Sequence, residues 1–86
     1  MPSELLIHVE FFGVARQRAG VAGFDVRAGR LSTVLSSIEA AFPALNGNLV
    51  GSNVYRFSLN GERFLDEDEE LLPDSKLLVL SADSGG

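Results

Sequence analysis

Four places in this chain carry groups that could do chemistry. The first is the terminal pair Gly85-Gly86, where a free α-carboxylate ends a stretch without side chains. Glycine makes up about 7% of ordinary protein, so a chance pair at the end falls in roughly one chain in 200. Without a Cβ, glycine lets backbone approach another surface closely. One reading makes the Gly86 carboxylate the reactive group, threaded into a partner's narrow active site; the other is a frayed terminus or an added remnant. The second place is His8, the only histidine. A Ser-His-Asp set would have to use it in the middle of a predicted strand, where a lone histidine is more often structural. The third is Asp66 to Glu70, five acids in a row. Consecutive carboxylates on an extended chain point in alternating directions, and no glycine-spaced calcium loop is present. A solvated acidic loop, or attraction of a basic partner, accounts for them better than a metal site. The fourth is the set Gly13, Gly20, Gly23 and Gly29. They do not form a strand-to-helix phosphate loop, and turn chemistry explains them.

The elements that must hold these groups follow from periodicity. Leu5 to Phe12 reads as a strand, with Leu5, Ile7, Val9 and Phe11 on one face and Leu6, His8, Glu10 and Phe12 on the other. Gly13 to Gly20 reads as a turn region leading to a second strand over Ala22 to Arg27, so the pair forms a hairpin. The chain's convincing helix runs from Ser32, a good N-cap, to Ala41. Its stripe is Leu31, Val34, Leu35, Ile38 and Phe42, and Pro43 stops it. Residues 44–53 read as a loop. Tyr55 to Leu59 alternates as a half-buried strand, Asn60-Gly61 turns it back, and Glu62 to Leu65 returns. Lys76 to Leu80, apolar nearly throughout, suits a central strand buried on both faces. Residues 81–86 form a tail.

A helix can bury its stripe here only against the sheet, giving a two-layer α+β domain. Right-handed crossover lets the first and last strands pair in parallel at the centre. The predicted core is Ile7, Val9, Phe24, Val34, Leu35, Ile38, Phe57 and Leu78. Phe12, with Leu6 behind it, is the predicted exposed apolar pair for a partner.

Eighty-six residues suit a single domain with a modest core. There is no cysteine, hence no disulfide, thiolate nucleophile or cysteine metal site. No leader or membrane-length apolar run is read, so a soluble cytoplasmic protein is expected. A net charge of −5 repels phosphate backbones and anionic membranes. A basic protein partner fits better.

The element order, the length, the opening Val9-Glu10-Phe11-Phe12-Gly13-Val14-Ala15-Arg16, the Leu59-Asn60-Gly61 turn and the Gly85-Gly86 end together resemble the MoaD/ThiS family of sulfur carriers. The resemblance covers essentially the whole chain and leans toward the MoaD branch, the small subunit of molybdopterin synthase. It implies a ubiquitin-like β-grasp fold, with a mixed sheet and one main helix over residues 1–80 and a tail over residues 81–86. It implies that an E1-like adenylating enzyme uses ATP to activate Gly86. A carboxylate is a poor electrophile because oxide would have to leave; an acyl-adenylate loses AMP readily. A sulfur nucleophile then leaves a thiocarboxylate, which donates sulfur to a precursor held by the synthase's large subunit. Gly85 gives the tail access, and Ser81, Ala82, Asp83 and Ser84 would touch the partner. No cofactor is bound, ATP being used by the activating enzyme, and the chain supplies no catalytic side chain. One departure is that the MoaD branch usually carries proline before its glycines, where this chain has Ser81-Ala82-Asp83-Ser84. The acceptor therefore stays open: molybdopterin synthesis, or another pathway such as thiamine thiazole, cysteine or tRNA thiolation. A ubiquitin-like modifier, in which a lysine amine attacks Gly86, is the other class. A β-grasp interaction module whose glycines do nothing is a third. Lys76 is the only lysine, which leaves little scope for branched chains of the protein on itself.

Overall fold

A computed structural model of the chain describes residues 5–45, 49, 54–65 and 68–81. In order, the elements are β1 (Leu6–Phe11), α1 (Gly13–Ala19), β2 (Gly23–Arg27), β3 (Gly29–Arg30), α2 (Leu31–Ala41), a 3-10 turn (Pro43–Leu45), β4 (Tyr55–Leu59), β5 (Arg63–Phe64), β6 (Glu70–Leu71) and β7 (Lys76–Ser81). The main sheet has the order β2-β1-β7-β4-β5, and β3 and β6 form a separate two-stranded ribbon. β1 and β7 pair in parallel at the centre, with Val9 opposite Leu77 and Phe11 opposite Val79. The flanking pairs are antiparallel. This is the two-layer α+β arrangement predicted.

The core lies between α2 and one face of the sheet. Ile7, Val9 and Phe11 of β1, Leu77 and Val79 of β7, and Phe57 of β4 face Leu31, Val34, Leu35 and Ile38 of α2. Ile38 and Val9 are fully buried. Phe11, Phe24 and Phe42 close one end, with Phe24 edge-on to Phe42 at 4.8 Å and Phe42 edge-on to Phe11 at 5.3 Å. Such pairs add to the area they bury.

Four expectations need correction. The predicted turn after β1 is the helix α1. Seven residues with one buried side chain, Ala15, make no apolar stripe. Its start and stop are backbone features: Gly13 has φ +58°, and Gly20 at φ +81° donates its N–H to the Arg16 carbonyl at 2.9 Å. α2 begins at Leu31, and Ser32 is not its N-cap; that position belongs to Arg30, whose side chain makes no capping bond. Distant acids cap it instead: Asp68 Oδ1 accepts the Ser32 N–H at 2.8 Å, and the Glu69 carbonyl accepts the Leu31 N–H at 2.7 Å. β7 is not buried on both faces. Leu77, Val79 and Ser81 point inward, while Leu78 and Leu80 are only half-buried on the uncovered side. Leu78 therefore leaves the core list, and Phe24 is partly rather than fully buried against it.

The Asn60-Gly61 turn is as predicted, with φ of +56° and +74°, but Leu59 pairs with Arg63, so Glu62 belongs to the loop and not to the return arm. Asn60 also accepts the Lys76 N–H on its side-chain oxygen at 2.8 Å, tying the turn to the central strand.

Candidate functional site

The tail leaves the sheet from β7, so the site begins with what surrounds that strand's end. Ser81 lies opposite Tyr55 of β4 and is buried. It is thus the last residue of the central strand rather than the first of the tail. Its hydroxyl has no hydrogen-bond partner among the described residues. A Cβ built on Gly13 would stand 3.6 Å from that oxygen, which places the start of α1 against the root of the tail. Tyr55 braces the same end: Arg18 of α1 donates to its hydroxyl at 2.9 Å, and the hydroxyl donates to the Leu45 carbonyl at 3.0 Å. Ala82, Asp83, Ser84, Gly85 and Gly86 lie outside the described residues.

The sheet face away from α2 carries the rest. Register puts Leu6, His8, Glu10 and then Phe12 on it from β1, Lys76, Leu78 and Leu80 from β7, Arg56 and Ser58 from β4, and Phe64 from β5. Phe12 is exposed, as predicted, and Leu6 is half-buried. The two do not form one patch. Leu6 opens β1 and Phe12 follows its last residue, six residues apart at a rise of about 3.3 Å each, roughly 20 Å. The apolar neighbours that share the open face are Leu78, Leu80 and Phe64. The Arg56 guanidinium lies over the Phe64 ring, 3.8 Å from its centre, and Phe64 as a residue is 47% exposed. One signal in the sequence points to Arg56: the alternation of Tyr55 to Leu59 puts it outward. Phe64 could not be read, because a two-residue turn at Asn60-Gly61 would set Arg63 opposite Ser58, whereas Glu62 joins the loop and shifts Phe64 into that place.

The acidic run is structural at its far end. Asp68 accepts from the Ser32 N–H, the Ser32 hydroxyl and the Arg30 Nε–H, the last two at 3.0 and 3.1 Å. The Ser32 N–H, then Arg30, hold its carboxyl below the usual carboxylate range. Glu69 takes both arms of Arg63 at 2.7 and 2.9 Å, which lowers its carboxyl and raises the guanidinium. Asp66 and Glu67 lie outside the described residues. Asp68 and Glu69 stay open to solvent, as a solvated loop would be, but they are also paired and bind α2 and β5 to the strand that follows. No group of three potential metal ligands occurs among the described residues.

A pH prediction follows from the sign of those shifts. Carboxyls depressed in the folded state add stability that is present above their unfolded values, near pH 4, and lost as pH falls through the lower folded values. Urea midpoints measured between pH 7 and pH 2 should fall along the acid limb. Asp68→Asn should lower the neutral midpoint and flatten that limb. An unchanged acid limb in Asp68→Asn would remove the cap from the account.

Neither protein-family models nor curated protein sequences give a match to the chain. Solved structures do. The chain is similar to SAMP1 from Haloferax volcanii at 19% identity, with a TM-score of 0.77 over 94% of this chain and 99% of that one. It is similar to the Haloferax volcanii HVO 2177 protein at 25% identity, with a TM-score of 0.76 over 95% and 87%. It is also similar to the small archaeal modifier protein 1 (SAMP1) from Methanosarcina acetivorans at 23% identity, with a TM-score of 0.74 over 99% and 100%. No helix among the described residues is long and apolar enough to cross a membrane. The fold is the ubiquitin-like β-grasp.

Proposed function

We propose that the protein is a ubiquitin-like carrier or modifier whose working group is the Gly86 carboxylate. One observation carries this reading. The chain matches a small archaeal modifier protein over nearly the full length of both, and its Gly85-Gly86 pair stands five residues beyond the central strand. Five extended residues span at most about 16–18 Å. Whatever takes the carboxylate must therefore rest against the end of the sheet where β7 finishes.

In this reading an E1-like enzyme joins Gly86 to AMP from ATP, and a sulfur nucleophile or an amine displaces the AMP. The thiocarboxylate route makes the protein a sulfur donor, with molybdopterin synthesis the specific assignment supported by the opening motif. The amine route makes it a protein modifier, supported by the modifier name of its structural relatives. The chain's own side chains bind and orient; the bond-making groups belong to partners. The protein works in the cytoplasm, where ATP-dependent activation is available.

The experiment is intact mass measurement after incubation with an E1-like enzyme, ATP and a sulfur donor. One oxygen exchanged for sulfur on the free chain marks the carrier, whereas amide linkage to lysines of other proteins marks the modifier. Neither product, with no AMP ester formed, would overturn both.

Phe12 lies beside the register position of Leu80, next to the root of the tail. Phe12→Ala should weaken binding to the activating or acceptor enzyme by about 1 kcal/mol or more, the threshold that separates working interface residues from passive ones. Leu6→Ala, at the far end of β1, should change it less. Calorimetry showing equal effects would place the interface elsewhere.

A further inference from the structure

Beside the root of the tail runs a groove that none of the contacts above uses. Gly13, Arg16, Gln17 and Gly20 fall three and four residues apart, so they share one stripe of α1 and its cap. With Val21 and Ala22, which lead to β2, they line a groove of about 480 Å³. Gly13 forms the end nearest the tail, against Ser81 Oγ. Most other polar side chains are already engaged. His8 Nδ1 is 2.8 Å from Asp25 Oδ1, Arg18 donates to Tyr55, Arg30 pairs with Asp68, and Arg63 with Glu69. Arg16 makes no ion pair or side-chain hydrogen bond among the described residues. Arg27 is likewise unengaged there, but it stands opposite Leu6, at the end of β1 far from the tail. A planar guanidinium holds a carboxylate by two parallel hydrogen bonds, and the Gln17 amide can donate to a peptide carbonyl.

We propose that this groove is a docking site for the chain's own residues 82–86, with the Gly86 carboxylate seated on Arg16. This rests on the reading of Gly86 as the working group, which docking withholds from a partner until the tail is displaced. The reach suffices. Arg16 stands three residues beyond Gly13, about 4.5 Å along the helix, against about 16–18 Å for five extended residues. Charge suits it too: the tail brings Asp83 and the α-carboxylate, and the groove has Arg16 and no acid in its lining. Tethering decides between this tail and that of a second copy. A short linker gives its end an effective concentration in the mM range, so a contact too weak to gather separate molecules still holds the attached end. A tail turned toward α1 also passes over Gly13, where the buried Ser81 hydroxyl has no partner among the described residues. A backbone carbonyl of the tail would supply one. The two terminal glycines, having no side chains, let the backbone lie close against the groove. While the tail is docked its end is hidden, so a partner's apparent affinity is reduced to the fraction of ends left free.

The test is nuclear magnetic resonance on the isotope-labelled full chain at neutral pH, with no enzyme present. Expected are backbone order parameters at Gly85 and Gly86 above about 0.6, the level below which an amide counts as flexible. Arg16→Gln should lower both below that level and shift the Gly20 and Val21 amides, without moving the melting temperature. Arg27→Gln should leave all four resonances as they are. Order parameters under about 0.6 in the unaltered chain, or equal values in it and in Arg16→Gln, would each overturn the proposal. The same loss in Arg27→Gln would overturn it as well, because the tail would then answer to net charge and not to the groove. So would order that rises with protein concentration, from about 0.05 to 1 mM, which would make a second copy the occupant. No activating enzyme takes part, so a free tail would leave the activation of Gly86 standing. A docked tail that never forms an AMP ester would overturn that reading alone.

Discussion

Removing Gly86 should leave a protein that folds and melts like the full chain yet forms neither adenylate nor thiocarboxylate nor conjugate. The new terminus, Gly85, ends about 3.3–3.6 Å short in an extended chain. Misplacement of about 1 Å can cost 100-fold in a reaction that depends on positioning. Folding should be untouched because the sheet is complete at Ser81, five residues earlier. Gly85→Val should act similarly if, as the proposed function requires, the activating enzyme's channel admits only backbone beside the reacting carboxylate. The measurement is AMP-ester formation and sulfur transfer by both chains with the same activating enzyme. Transfer at the full-length rate without Gly86 would leave a β-grasp interaction module and no carrier.

The second large effect is on stability. Ile38→Ala should cost about 2–5 kcal/mol, the range for truncating a buried aliphatic side chain. Ile38 is fully buried where α2 crosses the sheet, so collapse around the lost atoms is resisted. A domain of this size gains or loses roughly 4–8 °C per kcal/mol, and the whole reserve is about 5–15 kcal/mol. The variant should therefore melt at least about 8 °C lower, or fail to fold. Chemical denaturation with an unchanged slope and a shift under 1 kcal/mol would show that the helix does not depend on that contact.

The elements that could be read from the sequence are those whose pattern is long enough to be periodic. The α2 stripe, the alternation of β1 and β4 and the Asn60-Gly61 turn all announce themselves locally, and together they force the two-layer sheet. The helix α1 did not, because one buried alanine and two glycines look like a turn. The cap on α2 could not be read from Ser32, since the acceptor comes from Asp68, on the far side of β4 and β5 in the chain. β7 misled for the opposite reason. Its continuous apolar run fits two buried faces, and only the observed burial shows that Leu78 and Leu80 line an open one. Of the predicted partner pair, Phe12 is exposed where alternation put it, but period two says nothing about distance along a strand, so the separation of Leu6 from it could not be read. The Asp25-His8 contact needs the β1–β2 register, which a loop of unknown length concealed.

The parallel seam between β1 and β7 joins the first strand of the chain to the last, right at the middle of the sheet. Local hairpins can form early, but this seam requires closing nearly the entire chain into one loop. Until β7 slots in, β1 and β4 have no neighbour between them and the floor beneath α2 is missing. The strand that completes the fold is also the one that carries the tail. A chain still being synthesised, or one damaged in its last strand, cannot offer a glycine terminus on a finished surface. On the proposed function, a partner that must hold the sheet while it acts on Gly86 would therefore accept only the finished molecule.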